Sequence, residues 1–153
     1  MKIGIQKEDL ELSIKSLTTV LANEMIIYTK TRNFHWNVSG PSFMEMHELF
    51  EKQYNELAQM IDEVAERIMK LGGHAIGTMQ EFLDHTTLND LSKAKDRDSM
   101  ISELLADHEQ VTREIREVIS SVDESNDFGT ADFLTGITRK HETNSWQLRK
   151  YIK

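Results

Sequence analysis

The chain has 153 residues, enough for one domain with a substantial core, and a formal net charge of −8. This charge argues against general electrostatic binding to nucleic acid or to an anionic membrane surface. Because there is no cysteine, disulfides and thiolate metal sites are excluded, so a transition metal has to be bound by His, Asp or Glu. With neither a long apolar run nor an N-terminal signal pattern, we expect a soluble cytoplasmic protein with no membrane partner.

The first half of the chain reads as two long helices joined by a short break. Apolar residues recur every three or four positions from Leu10, which predicts a helix over about 10–37. Ser39-Gly40-Pro41 interrupts it, and a second helix follows over about 42–71 until Gly72-Gly73 ends it. The apolar line of this second helix consists of Phe43, Phe50, Leu57, Ile61, Val64 and Ile68.

The second half repeats the pair of long helices after a longer connection. A short helix over about 78–85 and a polar stretch through Lys95 precede a third long helix over about 98–121. A polar turn at 123–127 leads into a fourth helix, which runs to about Tyr151. Because no alternating strand pattern of useful length occurs, we predict an all-α four-helix bundle with a short helix in the middle connection.

Four potential metal ligands lie along one edge of the second helix. At about 100° per residue, His47, Glu51, Asp62 and Glu66 fall between its apolar face and its solvated face. Carboxylates at a seam where another helix packs are costly unless a cation neutralises them. The alternative is an ordinary amphipathic border with two i,i+4 polar pairs, which is the commoner outcome for such an edge taken alone.

The axial spacing of these residues separates them into two halves. Glu51 and Asp62 are ~16 Å apart along the helix axis, whereas metal–ligand bonds are about 2 Å long. His47 and Glu51 therefore cannot share an ion with Asp62 and Glu66 of the same chain. An antiparallel second copy, related by a two-fold axis, would bring one half against the other and create two equivalent sites per dimer.

His35 lies one or two helical turns before the Gly-Pro break, and His47 lies one or two turns after it. A tight helical hairpin would therefore bring the two histidines together. A buried, hydrogen-bonded histidine is the alternative, but the neighbouring candidates favour a ligand. Trp36 either packs beside the site or donates an electron to an oxidising centre. His35 shares the core-facing helical line of Leu17, Leu21, Glu24 and Tyr28.

A ligand set of imidazole and carboxylate suits Fe(II), Mn(II) or Zn(II), and carboxylates also stabilise Fe(III). Bundles that bind two irons within one subunit usually carry Glu-x-x-His, yet none of the six histidines has Glu three residues before it. This absence favours a site between subunits. We assign no role to the remaining histidines, and for the last two we expect packing on apolar helical lines: His74, His85, His108 and His141.

Several motifs together resemble the Dps mini-ferritins, and the similarity extends from about Leu10 to Ile152. The motifs are N-F-H-W-N-V-x-G-P (33–41), M-H-E-L-F-E (46–51), I-D-E-V-A-E-R (61–67), L-G-G-x-A-x-G (71–77) and T-A-D-x-L (130–134). The resemblance implies a single ferritin-like domain over 1–153 that assembles into a hollow dodecamer. It also implies oxidation of Fe(II), with hydrogen peroxide preferred to oxygen, and storage of a ferric mineral, which together protect against oxidative damage.

The resemblance further implies which residues form the ferroxidase sites. His35, His47 and Glu51 would come from one subunit, and Asp62 and Glu66 from its neighbour across a two-fold interface. Trp36 sits where the family places a tryptophan by the site. Asp127 and Asp132 resemble acidic residues that line a three-fold iron-admitting pore, with helix capping as the alternative role for both.

Two departures from the family pattern bear on function. Glu51 stands where the family more often has Asp, and its longer arm is expected to shift or weaken the second metal position. The tail of about 1–8 is poor in cations, whereas family members that bind DNA through a tail usually have several. A short C-terminal basic cluster more simply complements a helix dipole. This C-terminal cluster consists of Arg149, Lys150 and Lys153. The only cations of the N-terminal tail are Lys2 and Lys7.

We therefore expect weak or no DNA binding. Two other readings remain at this stage. One is a DNA-binding dodecamer of the nucleoid in which iron oxidation is secondary. The other is a four-helix interaction domain that binds no metal.

Overall fold

The computed structural model describes residues 2–152, which form helices and connections without any strand. The helices are α1 (Lys7–Asn37), α2 (Phe43–Lys70), α3 (Met79–His85), α4 (Arg97–Glu124) and α5 (Phe128–Arg149). The predicted all-α bundle, with a short helix in the middle connection, is confirmed. The first residue of the tail, Met1, and Lys153 of the basic cluster lie outside the described range.

The helices begin and end at local sequence signals. Thr78 and Asp96 each form a capping box at the start of a helix. The side chain of the cap accepts a hydrogen bond from the backbone N–H three residues later, and the side chain of that later residue accepts one from the backbone N–H of the cap. Gly72 ends α2 with a φ of 83°, in the left-handed region that glycine tolerates best. α4 ends at Glu124, three residues beyond the predicted end at about 121.

The bundle consists of two hairpins that pack on each other. α1 pairs with α2 and α4 pairs with α5, while α1 also contacts α4 and α3. Their shared core contains apolar side chains with at most 1% exposure, among them Leu17, Leu21, Phe34, Phe50, Leu57, Leu104, Ile115 and Leu134. The interface between the two hairpins is therefore mainly apolar, as the periodicity of the sequence predicts.

The prediction that Phe43 belongs to the core line of α2 is wrong. Phe43 is 40% exposed, whereas Phe50 and Leu57 on the same line are fully buried. Phe43 is the first residue of α2, so no preceding turn of the helix shields it. Its ring instead lies against the imidazole of His47, with 5.2 Å between the ring centroids.

A polar chain runs through the middle of the bundle. Nε2 of His141 (α5) donates to Oε1 of Glu24 (α1) over 2.6 Å, and a hydrogen bond of 2.8 Å joins the Nδ1 atoms of His141 and His108 (α4). All three side chains have no exposed surface. The expectation that His108 and His141 pack in the core is confirmed, although they pack as one hydrogen-bonded chain.

This buried chain makes stability depend on pH. Burial, and then the charge of His141, hold the pKa of His108 well below its usual range, so the unfolded chain binds a proton there more readily than the folded chain. The free energy of unfolding should therefore fall as the pH drops below about 6.5, by at most ~1.4 kcal/mol per pH unit for this group. Urea titrations between pH 5 and 8, at ~0.5 unit intervals, measure the slope. His108→Asn should flatten it, and an unchanged slope would contradict this account.

Candidate metal centre

The α1–α2 hairpin brings His35 and His47 into direct contact, as the break between the helices predicts. Their rings stack with centroids 3.7 Å apart and an interplanar angle of 20°. Nδ1 of His35 donates to the backbone carbonyl of His47 over 2.8 Å, and Nδ1 of His47 donates to the carbonyl of His35 over 2.9 Å. The two histidines are thus held in a reciprocal arrangement that fixes both rings.

The reciprocal bonds decide which ring nitrogens are free. A carbonyl oxygen only accepts, so Nδ1 of each ring must carry its proton. In a neutral imidazole this leaves Nε2 with an available lone pair, and an Nδ1–H bond to a carbonyl is how proteins commonly orient a metal-binding histidine. His35 and His47 therefore have the tautomer that metal ligation requires.

Glu51 lies one helical turn after His47, on the same face of α2, and its side chain is exposed. The hydroxyl of Tyr54 donates to its Oε1 over 3.4 Å, so the second carboxylate oxygen is left for another partner. The rings of Tyr54 and His35 also lie nearly perpendicular to each other, with centroids 5.3 Å apart. Tyr54 thus contacts two of the predicted ligands.

Asp62 and Glu66 are exposed on a later part of α2, and Glu66 pairs with Lys70 over 2.9 Å. Within residues 2–152 of one chain, no three His, Asp or Glu side chains converge closely enough to hold a metal ion. The chain therefore brings the two histidines together but leaves these carboxylates apart, as the ~16 Å axial spacing requires. The five predicted ligands thus lie in two separate groups, His35, His47 and Glu51 in one and Asp62 and Glu66 in the other, which are called the two half-sites below.

A cationic and aromatic cluster adjoins the histidine pair, and the sequence reasoning missed it. The guanidinium of Arg32 lies over the rings of Tyr28, Tyr54 and Trp36, at 5.7, 4.7 and 5.4 Å from their centroids. The signal was present in the i,i+4 spacing of Tyr28, Arg32 and Trp36 on α1. Trp36 itself is 63% exposed, so it does not pack in the core of the subunit.

The two predicted pore residues occupy different environments. Asp127 is 1% exposed and caps α5, since its carboxylate accepts from the backbone N–H of Thr130. It also accepts from the Ser13 hydroxyl over 2.7 Å and pairs with Arg67 over 3.0 Å. Asp132 is exposed and lies beyond the first turn of α5, so it does not cap this helix. The capping alternative thus describes Asp127 within the subunit, and only Asp132 presents a free carboxylate.

The fold and these side chains define a class of protein: a four-helix bundle that carries a histidine pair and carboxylates along one helical hairpin. Comparison with known proteins agrees. A family model for the ferritin-like domain matches residues 14–153. Among solved structures, a Dps protein from Vibrio cholerae, described as a member of the ferritin-like diiron-carboxylate superfamily, has a TM-score of 0.94 and 27% identity, covering 100% of this chain and 96% of that one.

Two curated relatives are also similar over nearly the whole chain. An uncharacterized low temperature-induced protein of Nostoc is 39% identical, with 100% of this chain and 87% of the relative covered. DNA protection during starvation protein 2 of Bacillus anthracis is 34% identical, with 91% and 95% covered. The chain therefore belongs to the ferritin-like family and, within it, to the Dps mini-ferritins. Across the described residues, no helix combines the length and apolar character needed to cross a membrane.

Proposed function

We propose that the protein is a ferroxidase and iron-storage mini-ferritin. It oxidises Fe(II) at sites shared by two chains and stores the ferric product inside a homo-oligomeric shell, which the family resemblance implies is a dodecamer. The observation that carries the proposal is the His35–His47 pair, whose bonded Nδ1 atoms leave both Nε2 lone pairs free. We place this activity in the cytoplasm, where removal of Fe(II) and peroxide limits oxidative damage.

Each residue has a distinct part in the proposed reaction. Nε2 of His35 and of His47 and a carboxylate oxygen of Glu51 bind Fe(II) from one chain, and Asp62 and Glu66 of a second copy complete the site. The carboxylates neutralise the metal and favour Fe(III) over Fe(II). With hydrogen peroxide as the oxidant, two Fe(II) supply two electrons, and two protons are taken up to give two waters. Zn(II) and Mn(II) have the same ligand preferences and should compete for the site.

A peroxide assay on His47→Ala tests this proposal. Fe(II) is added anaerobically, peroxide follows, and the growth of ferric absorbance is recorded together with the size of the assembly. We expect rapid oxidation by the wild type and a rate lower by roughly 100-fold or more in the variant, because a ligand is lost. Equal rates in two assemblies of the same size would refute the site. The control is His85→Ala, on α3, whose histidine lies outside both half-sites.

DNA binding is the second candidate function, since a similar B. anthracis protein bears the name DNA protection during starvation protein. The net charge of −8 and the few cations of the tail support weak or absent binding at physiological salt. We therefore expect no retention of duplex DNA in a gel-shift assay at ~150 mM salt. Retention that persists there would favour a nucleoid role with iron oxidation secondary.

A further inference from the structure

The histidine pair lies within a longer row of aromatic rings. His47 stacks on His35 with 3.7 Å between the ring centroids, and the Phe43 ring lies 5.2 Å from His47 at an angle of 35°. Because a nearly parallel ring at 3.7 Å fills one face of the His47 imidazole, the Phe43 ring has to lie on a different side of it. The His47 imidazole is therefore held between the rings of His35 and Phe43.

The turn before α2 determines where the Phe43 ring lies. Ser42 has a φ of 60° and a ψ of 27°, in the left-handed region that residues other than glycine rarely adopt. Such a conformation persists only where the surrounding structure favours it, and it is common near functional sites. Phe43 contributes little to the core, since it is 40% exposed in the single chain. The turn thus places a partly exposed ring against a predicted ligand.

The Phe43 ring is placed to protect the hydrogen bond that orients His47. Nδ1 of His47 donates to the backbone carbonyl of His35 over 2.9 Å, and His47 is only partly buried. Water competes for a partly exposed hydrogen bond, and an apolar ring beside the bond excludes water. Without that ring, the His47 side chain would gain access to other rotamers, and its Nε2 lone pair would face the metal position for less of the time.

We propose that Phe43 is a positioning residue for His47. It has no atom that ligates a metal, and it acts by holding the imidazole in the orientation that metal binding requires, which raises the metal affinity of the half-site. This inference depends on the proposed function. It requires a flat ring at position 43, because an aliphatic side chain covers the face of an imidazole less completely.

Calorimetric titration of the assembled, metal-free protein with Zn(II) tests this inference. The half-site is the binding component that the wild type shows and that His47→Ala lacks. Phe43→Leu, which is apolar but has no ring, should weaken this component by roughly tenfold, whereas Phe43→Tyr, which keeps the ring, should stay within about twofold of the wild type. In the peroxide assay, Phe43→Leu should raise the Fe(II) concentration that gives half the maximal rate by a similar factor, with little change in the maximal rate.

Phe128→Leu is the matched control, because Phe128 is also exposed and is also the first residue of a long helix, α5. It lies beside the C-terminal part of α2, since the neighbouring Asp127 pairs with Arg67. This variant should bind Zn(II) as the wild type does. The size of every assembly is measured in parallel.

The outcomes separate the two proposals. If the wild type and His47→Ala bind Zn(II) alike, the histidine pair holds no metal and both proposals fail. If the half-site component is present but Phe43→Leu keeps it, or Phe43→Tyr loses as much affinity as Phe43→Leu, the Phe43 inference fails and the ferroxidase proposal stands. Loss of assembly in Phe43→Leu would assign Phe43 to a contact between subunits and would also overturn the inference. Weaker binding by Phe43→Leu alone, in an assembly of wild-type size, supports it.

Discussion

Replacing Asp62 with alanine is expected to abolish Fe(II) oxidation, although Asp62 contacts neither histidine of its own chain. The expectation follows from the spacing of α2, which separates Asp62 from Glu51 by ~16 Å along the axis. Asp62 is exposed, so the variant should fold normally. The rate of ferric absorbance after peroxide addition should fall by roughly 100-fold or more, because the second copy can no longer close the site.

Glu63→Ala is the matched control, since Glu63 is the next carboxylate on α2 and is also exposed. Its side chain turns away to pair with Lys140 of α5 over 2.9 Å, and an exposed pair of this kind contributes little to stability. The control should keep the wild-type oxidation rate. If Asp62→Ala also keeps it, with the assembly intact, then Asp62 is not a ligand and the two-chain site is wrong.

Asp127→Ala should cause the largest loss of stability. Asp127 joins α1, α2 and α5, because its carboxylate binds Ser13, Arg67 and the N-terminal N–H of Thr130. Its removal leaves the buried Ser13 hydroxyl without its acceptor and takes the ion-pair partner from Arg67, which keeps only its bond to Thr130. We expect a decrease of roughly 3–5 kcal/mol in the free energy of unfolding, measured by urea denaturation.

The same carboxylate predicts a response to acid. Burial pushes the pKa of Asp127 upward, but the bonds from Thr130 and Ser13 and the charge of Arg67 together outweigh it and hold the pKa below its ordinary value. The folded chain thus keeps Asp127 ionised more readily than the unfolded chain. Its contribution to stability is present above about pH 4 and is lost as the pH falls through the depressed pKa.

Asp132→Ala distinguishes capping from a role in a pore. Asp132 is exposed, so its replacement should change the free energy of unfolding by less than about 0.5 kcal/mol. Under the pore proposal it should nevertheless slow iron uptake into the assembled shell, which stopped-flow ferric absorbance measures. If Asp127→Ala is as stable as Asp132→Ala, the buried cap formed by Asp127 is not important to the fold.

The helices were predictable because their apolar residues recur with helical periodicity over long stretches, and because Gly72 and Pro41 interrupt that pattern. The proximity of His35 to His47 was predictable because a short break between two helices favours a tight hairpin. The stacking of their rings was not part of that prediction. The exposure of Phe43 was not predictable from the sequence. An apolar side chain on the correct face is buried only if a neighbouring element covers it, and helical periodicity carries no information about the ends of helices.

Polar contacts between distant parts of the sequence were the least predictable. Ser13 and Asp127 are far apart in the chain, and nothing in either local pattern indicates that they pair. The chain Glu24–His141–His108 joins three helices in the same way, and only the burial of both histidines could be anticipated from their apolar neighbours. The contact of Arg32 with the Tyr54 ring depends on how α1 packs on α2, which the separate periodicities do not fix.

Mixed assembly of two inactive variants tests the central claim most directly. His47→Ala lacks one half-site and Asp62→Ala lacks the other, so each variant alone should be inactive. When the two are unfolded, mixed in equal amounts and reassembled, random pairing should give about a quarter of the wild-type ferroxidase rate, because one site in four combines two intact halves. The result that would contradict the account is a mixture as inactive as its components, since a site contained within one chain could never be restored by mixing.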